Sequence, residues 1–314
     1  MYRFIYITVF FLVIALPLKA QENLVPNGSF EEYNNCPSGG GISWVKNWYS
    51  PTLGSPDYFN ICATNSQFEV PQNTRGYQIP KTGGAYAGFF ARANDDAREY
   101  LQVELKKELE AGKKYAVQFY LNLADFYAVS VWNIGMHLSN TAISSPLINI
   151  YVLNVTPQIL NEKGNFLNWE DWTEVKVNYT SHGGEKFITI GNFYTEANTD
   201  TMLITGGQYS PSTYIFIDDV SITEIICEPI FHNVFTPNND DINEHWQPIL
   251  CLDDNEQVNI TIYNRWGQKV YEAVNKAAYW DGRTTSGNNC PEGTYYYIIT
   301  TTKETYKGTI QLLR

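Results

Sequence analysis

The chain opens on an almost unbroken apolar run from Phe4 to Leu18, and no later stretch repeats one of that length. The run is too short to cross a hydrocarbon core about 30 Å thick, but it suits the apolar region of a secretory signal peptide. Arg3 supplies the positive flank, and Leu18-Lys19-Ala20 ends on a small residue ahead of Gln21. Residues 1–20 are therefore expected to be cleaved, leaving a mature chain that starts at Gln21 and has no transmembrane span. No cysteine stands at the cleavage point, which argues against a lipid anchor.

Beyond the run the hydrophobic period becomes two. Tyr115, Val117, Phe119, Leu121 and Leu123 alternate with smaller or more polar residues, the pattern of a half-buried strand, and Val175, Val177 and Tyr179 repeat it. Leu101, Val103 and Leu105 form another such set ahead of the turn residues at 110–113. Phe187 to Ile190 and Tyr214 to Ile217 read as short, mostly apolar strands. Near the end, Val258, Ile260 and Ile262 alternate, Asn264 to Gly267 make a turn, and Val270 and Tyr271 return as the partner of a β-hairpin. Only 94–110 has enough charge to support a helical turn, and the alternation at its end favours a strand. The pattern predicts an all-β protein of packed sheets.

Length and composition sharpen this picture. Nearly three hundred residues after cleavage suit two domains, each with its own core. Aromatic residues reach 15% against 17% charged, a balance that favours strands. Residues 21–227 hold 12 basic and 22 acidic side chains, and 228–314 hold 7 and 11, so both parts are acidic. Such surfaces repel a phosphate backbone, which excludes nucleic acid as the natural partner and leaves neutral ligands or metal cations.

The reactive residues point away from catalysis. The four histidines, at 137, 182, 232 and 245, are scattered, no C-x-x-C pair occurs, and no zinc set forms. A G-x-S-x-G elbow and a phosphate loop are absent, and nothing marks the paired carboxylates of a glycoside hydrolase. The reading is that of a protein that is not an enzyme. In an exported chain the five cysteines suggest disulfides. Cys36 and Cys62 lie in a loop-rich region, and Cys251 and Cys290 flank a strand pair, so two bridges within domains would leave Cys227 unpaired. Buried reduced thiols are the alternative.

Two sets of motifs carry a resemblance. The opening Asn23-Leu24-Val25-Pro26-Asn27-Gly28-Ser29-Phe30-Glu31 and the closing Tyr214-Ile215-Phe216-Ile217-Asp218-Asp219-Val220-Ser221 resemble the two ends of a galactose-binding-like jelly roll, the β-sandwich of many carbohydrate-binding modules. The resemblance covers 23–224 and implies a domain over 21–226 whose ends lie side by side. It also implies a structural Ca2+ held by Glu31 and Asp219, whose hard oxygens suit that ion, with turn capping or exposure to water as the competing role for both carboxylates. Asn233 to Asn238, Ile262 to Glu272, Trp280-Asp281-Gly282 and Gly293 to Tyr297 are similar to the gliding-motility-associated, type B sorting domain of the type IX secretion system. That resemblance implies a smaller, immunoglobulin-like sandwich over 227–314, passage across both membranes, and a final place at the cell surface or outside the cell. Within it Trp266 and Trp280 are expected as core anchors and Arg265 as a partner of Asp281. Asn239 and Asp241 stand where the family usually has glycines, and both types tolerate left-handed backbone.

Sugars present C–H faces beside hydroxyls, so their sites need aromatic platforms next to amides or carboxylates. Trp48, Tyr58, Tyr86, Tyr127 and Trp132 lie near Asp57, Asn60 and Asn133 in the sequence, and Tyr127 and Trp132 occupy the irregular stretch 125–133. The candidate ligand-binding set is Asp57, Tyr58, Tyr127, Trp132 and Asn133, with core packing as the competing role for each ring. The resulting expectation is a non-catalytic surface or secreted protein that binds a glycan or another envelope component and meets the type IX machinery. A structural adhesin acting through protein contacts is the alternative, and a glycan-active enzyme the third.

Overall fold

A computed structural model describes residues 21–144, 152–204, 211–252, 256–274 and 278–314. The expected signal peptide, residues 1–20, lies outside the described residues. The chain forms two compact units that meet between Ile225 and Ile226. Both are built of strands, joined in the first by short 3-10 turns, with no α-helix among the described residues.

In the first unit the strands are β1 (Asp57–Asn60), β2 (Gln72–Asn73), β3 (Gly76–Tyr77), β4 (Ala85–Arg92), β5 (Leu101–Glu104), β6 (Lys114–Leu123) and β7 (Val129–Val131). They continue with β8 (Gly135–Ser139), β9 (Ile159–Leu160), β10 (Thr173–Thr180), β11 (Phe187–Gly191), β12 (Thr201–Leu203) and β13 (Thr213–Glu224). One sheet has the order β1-β4-β13-β6-β10 and the facing sheet β5-β11-β8-β9. The alternation read from the sequence sets the layers. Tyr115, Val117, Phe119 and Leu121 of β6 point inward with Val175 of β10, against Leu101, Val103, Ile188 and Ile190 of the other sheet. The segment at 94–110 contributes a 3-10 turn over Asn94–Asp96 and then β5, as the alternation required.

β13 changes its inward face part-way along. Ile215 and Ile217 face the core, and a bulge between Asp218 and Ser221 shifts the register so that Val220 and Ile222 do so afterwards. Asp219, at φ 50°, absorbs the change. Tyr214 and Phe216 point to the opposite face, where they pack with Phe59, Phe68, Val70 and Tyr86 as a second apolar cluster. The opening segment runs along the end of β13: Leu24 N–H donates to Ile222 C=O (2.8 Å) and Val220 N–H to Gly28 C=O (2.8 Å). Only glycine fits at 28, because a Cβ there would stand 1.9 Å from the Val220 carbonyl oxygen.

The second unit has β14 (Val234–Phe235), β15 (Val258–Tyr263), β16 (Lys269–Ala273), β17 (Gly293–Thr301) and β18 (Thr305–Leu312) in one sheet of order β14-β18-β17-β15-β16. Its inner face, Val258, Ile260, Ile262, Tyr295, Tyr297, Ile299 and Ile310, is covered by an isolated bridge between Trp246 and Trp280. Trp246 packs on Tyr297 and Trp280 on Tyr295. Trp280 is thus a core anchor, but Trp266 is not: it sits in the turn between β15 and β16 and is 67% exposed. A turn projecting past the end of a sheet has no inner face on which to bury a ring. Arg265 lies over the Trp266 ring at 4.2 Å instead of pairing with Asp281, whose carboxylate is next to Arg283 Nε at 3.7 Å. Asn239 and Asp241 do take left-handed backbone, at φ 64° and 65°.

Cys36 and Cys62 are bonded, with Cα atoms 5.4 Å apart. The expected Cys251–Cys290 bridge does not form: Cys251 is bonded to Cys227 and Cys290 is a free thiol. The antiparallel bridge between Ile230 and Ile249 carries its two segments directly on to Cys227 and Cys251. Cys290 packs in the core, 3% exposed, and burial pushes its thiol upward in pKa. Alkylation of the mature, non-reduced chain is therefore expected to modify no cysteine in the native state and one, Cys290, after denaturation, as read by peptide mass spectrometry. Labelling at Cys227 would disprove the pairing.

Candidate functional site

The ligand-binding candidates separate into two places, and three of the five are buried. Asp57 and Tyr58 lie on β1, which is buried along its whole length. Asp57 Oδ2 accepts hydrogen bonds from Tyr214 Oη (2.8 Å) and Arg75 Nη2 (3.2 Å), while Oδ1 accepts from Gly41 N–H. Tyr58 donates from its hydroxyl to Phe30 C=O (2.9 Å) and accepts from Asn60 Nδ2 (2.6 Å). Burial raises the pKa of the Tyr58 and Tyr214 phenols, so both remain neutral donors. These side chains hold the fold. Trp48 and Tyr86 are buried as well.

Tyr127 is at the rim of the same network. The Arg75 guanidinium lies over Phe90 (4.8 Å) and Tyr214 (4.5 Å), pairs with Asp57, and donates from Nη1 to Tyr127 Oη (3.1 Å). Around it the β2–β3 hairpin is stitched to the loop at 125–127: Phe126 N–H donates to Arg75 C=O and Tyr77 N–H to the Asp125 carboxylate. This brings onto adjoining segments two exposed rings absent from the sequence-derived set, Tyr77 at 50% and Phe126 at 43%. Ile79, 60% exposed, is fixed nearby in the chain by Trp172 Nε1, which donates to its carbonyl. No period marks Tyr77 or Phe126 in the sequence. Their one signal is position: Phe126 is in a turn and Tyr77 in a two-residue strand just after one, too short to set an inner face.

Trp132 and Asn133 belong to a different site. Trp132 Nε1 donates to Asp200 Oδ2 (2.9 Å), and Asn133, itself buried, accepts from Asp200 N–H (2.9 Å). They fix the start of β12 beside β7, where Met202 and Leu203 are exposed. Trp132 keeps a half-buried ring at that edge.

Glu31 and Asp219 converge on one turn. Glu31 Oε1 accepts from Gly84 N–H (2.9 Å) and Asp219 Oδ1 from Thr82 Oγ1 (2.7 Å). The adjacent Asp218 is buried, accepts from Lys81 and Thr82 N–H, and is pushed up to about 8 by burial and by the Asp219 charge. Both candidate ligands line a polar cleft of about 510 Å3 with Asn27, Ser29, Glu32, Gln118 and Tyr120. Each carboxylate uses one oxygen in these hydrogen bonds. The described residues hold no cluster of three or more acidic, His or Cys side chains suited to a metal, so further oxygens would have to come from backbone or water.

Comparison with known proteins assigns the second unit. Residues 229–312 match the CHU_C type IX secretion signal domain family. The second unit is a type IX secretion signal domain. Its presence means export across the outer membrane to the cell surface or the medium. No helix among the described residues is long and apolar enough to cross a membrane. No curated protein matches the chain. Among solved structures, the CBM22-1 xylan-binding domain of Xyn10C from Paenibacillus barcinonensis is similar over 67% of this chain and 99% of its own, at 10% identity and a TM-score of 0.38. The K2 cleaved adhesin domain of Lys-gingipain (Kgp) is similar over 66% of this chain and 99% of its own, at 13% identity and a TM-score of 0.34. The adhesin domain of Epf from Streptococcus pyogenes is similar over 73% and 77%, at 12% identity and 0.29. Likenesses this remote carry no inference about a ligand.

Because Arg75 links Asp57, Tyr214 and Tyr127, its removal leaves a buried carboxylate unpaired. Arg75→Ala is expected to cost about 3–5 kcal/mol in urea unfolding, against about 1 kcal/mol for Tyr127→Phe, which loses one hydrogen bond. A loss near that of Tyr127→Phe would show that the ion pair does not hold the two segments.

Proposed function

We propose that the chain is a non-catalytic exported protein whose N-terminal unit binds carbohydrate at the surface carrying Tyr77, Phe126 and Tyr127. The observation that supports this reading is the pinning of two exposed rings and a half-buried phenol onto segments locked to each other by Arg75 and Asp125. Rigid aromatic platforms beside a guanidinium and a carboxylate offer a sugar both its C–H contacts and its hydroxyl partners, with little ordering entropy left to lose. Trp132 at the β12 edge is a second, separate platform, and Ca2+ held by the carboxylates of Glu31 and Asp219 stabilises the sandwich at its polar cleft.

The test of the sugar site is a glycan-array screen of the mature chain against bacterial and plant polysaccharides. One sugar class is expected to bind, and Tyr77→Ala, Phe126→Ala and Tyr127→Ala should each weaken it roughly 3- to 10-fold. Loss on Trp132→Ala alone would move the site to the β12 edge. No binding at all would favour an adhesin that works through protein contacts.

Calcium is tested separately, by melting the mature chain with the ion and with a chelator. A rise of roughly 5 °C is expected at about 100-fold excess over Kd, and it should vanish in Glu31→Gln and Asp219→Asn. Equal melting temperatures with ion and chelator would exclude the ion.

A further inference from the structure

The exposed Trp266 is the largest departure of the signal domain from its expected packing. Its ring stands in water at the tip of the β15–β16 hairpin, and the turn that carries it is over-determined. Asn264 N–H donates to Gln268 C=O and Gly267 N–H to Asn264 C=O, both at 2.9 Å. Asn264 Oδ1 accepts from Trp266 N–H and Gln268 N–H, each at 3.0 Å, and Asn264 Nδ2 donates to Gln268 Oε1. Gly267, at φ 79°, supplies the left-handed residue that closes the turn. None of these bonds buries the indole. Their combined effect is to fix the backbone from which it projects.

Two more features lie at the same end of the sheet. Arg265 caps the Trp266 ring at 4.2 Å and makes no salt bridge among the described residues. Tyr263 and Tyr296 are cross-strand partners just before the turn, on the outward face, and Tyr296 is exposed. A single exposed apolar side chain needs no explanation, but Trp, Arg and Tyr together are the residue types that anchor protein interfaces. A fixed turn lets them dock without paying to order a loop.

We propose that the hairpin tip, Arg265 and Trp266 with Tyr263 and Tyr296 beside it, is the surface by which this signal domain is recognised, and that its partner is a protein of the secretion machinery presenting an apolar slot edged by carboxylates. The indole fills the slot, and the guanidinium, stacked on that ring and without a salt bridge among the described residues, meets the acidic edge. The inference rests on the assignment of the second unit as a secretion signal, which the test examines in a separate arm.

The test expresses the full-length chain in a bacterium with a working type IX system and measures the fraction reaching the surface and medium against the periplasm. Truncation after Ile225 is expected to be retained in the periplasm. Trp266→Ala should lower export at least 10-fold and Arg265→Glu several-fold, with Trp266→Phe partly restoring it. Val274→Ala, which alters an equally exposed side chain away from the tip, should be exported normally. Purified Trp266→Ala should melt within about 2 °C of the parent, since the ring it removes is outside the core. If it melts lower, Arg265→Glu and Tyr296→Ala decide the matter in the same assay. Normal export of the tip variants alongside a retained truncation would overturn the docking surface and leave the signal assignment intact. Export of the truncated chain would overturn both.

Discussion

The N-terminal unit depends on the clasp between the opening segment and β13. β13 lies at the centre of its sheet, between β4 and β6, and must serve a core on each face. The bulge at Asp218–Ser221 switches which alternate residues point inward, and it interrupts the ladder to β6 where it does so. The opening segment fills the gap. Asn23 Oδ1 accepts from Ile222 N–H, Asn23 Nδ2 donates to Val220 C=O, and Gly28 C=O accepts from Val220 N–H. An extra residue left unpaired in a central strand would cost the desolvation of its polar groups. The clasp satisfies them with residues from the other end of the unit, which is why Gly28 has no room for a side chain.

The same bulge decides where the carboxylates go. Asp219 turns outward into the polar cleft, and Asp218 remains buried against the N–H groups of the turn at 81–82. Burial and the Asp219 charge raise the pKa of that carboxyl, and the backbone N–H groups that donate to it oppose the rise. The Asp57–Arg75 pair solves a similar problem differently. There a cation is set against the carboxylate, with aromatic faces on the guanidinium and a phenol on the carboxylate. The geometry it fixes, two surface segments held together, extends to the exposed rings of the proposed sugar site.

The legible part of this chain was the part with a period. The alternation in β6 and β10 gave both strands and their inward faces, while the side-by-side ends of the first unit came from the resemblance of its opening and closing motifs to a jelly roll. The sites were harder, because an aromatic residue near a carboxylate reads the same whether it packs inside or projects. Asp57 and Tyr58 sit in a strand whose every residue is buried, so alternation does not separate an inner from an outer face. Cys227 looked unpaired because its strand context was invisible: a single bridge between Ile230 and Ile249, too short to leave a pattern, carries it to Cys251. Trp266 was misplaced for the opposite reason, since its hairpin was read correctly and the turn position alone should have kept it out of the core.

The signal domain shows what that last position means for stability. Its described strands form one sheet, and the opposing layer is little more than the Trp246–Trp280 bridge, so the core is small. Small cores are marginal, and closing a loop of about 25 residues with a disulfide contributes about 3–4 kcal/mol by restricting the unfolded chain. The Cys227–Cys251 bond therefore supports a fold in which one of the largest apolar side chains is left in water. Burying the Trp266 indole would stabilise such a domain by a few kcal/mol, and residues 264–268 instead commit five hydrogen bonds to a turn that prevents it. A fold this short of core that holds a Trp outside it is consistent with selection on what the ring meets during export rather than on folding.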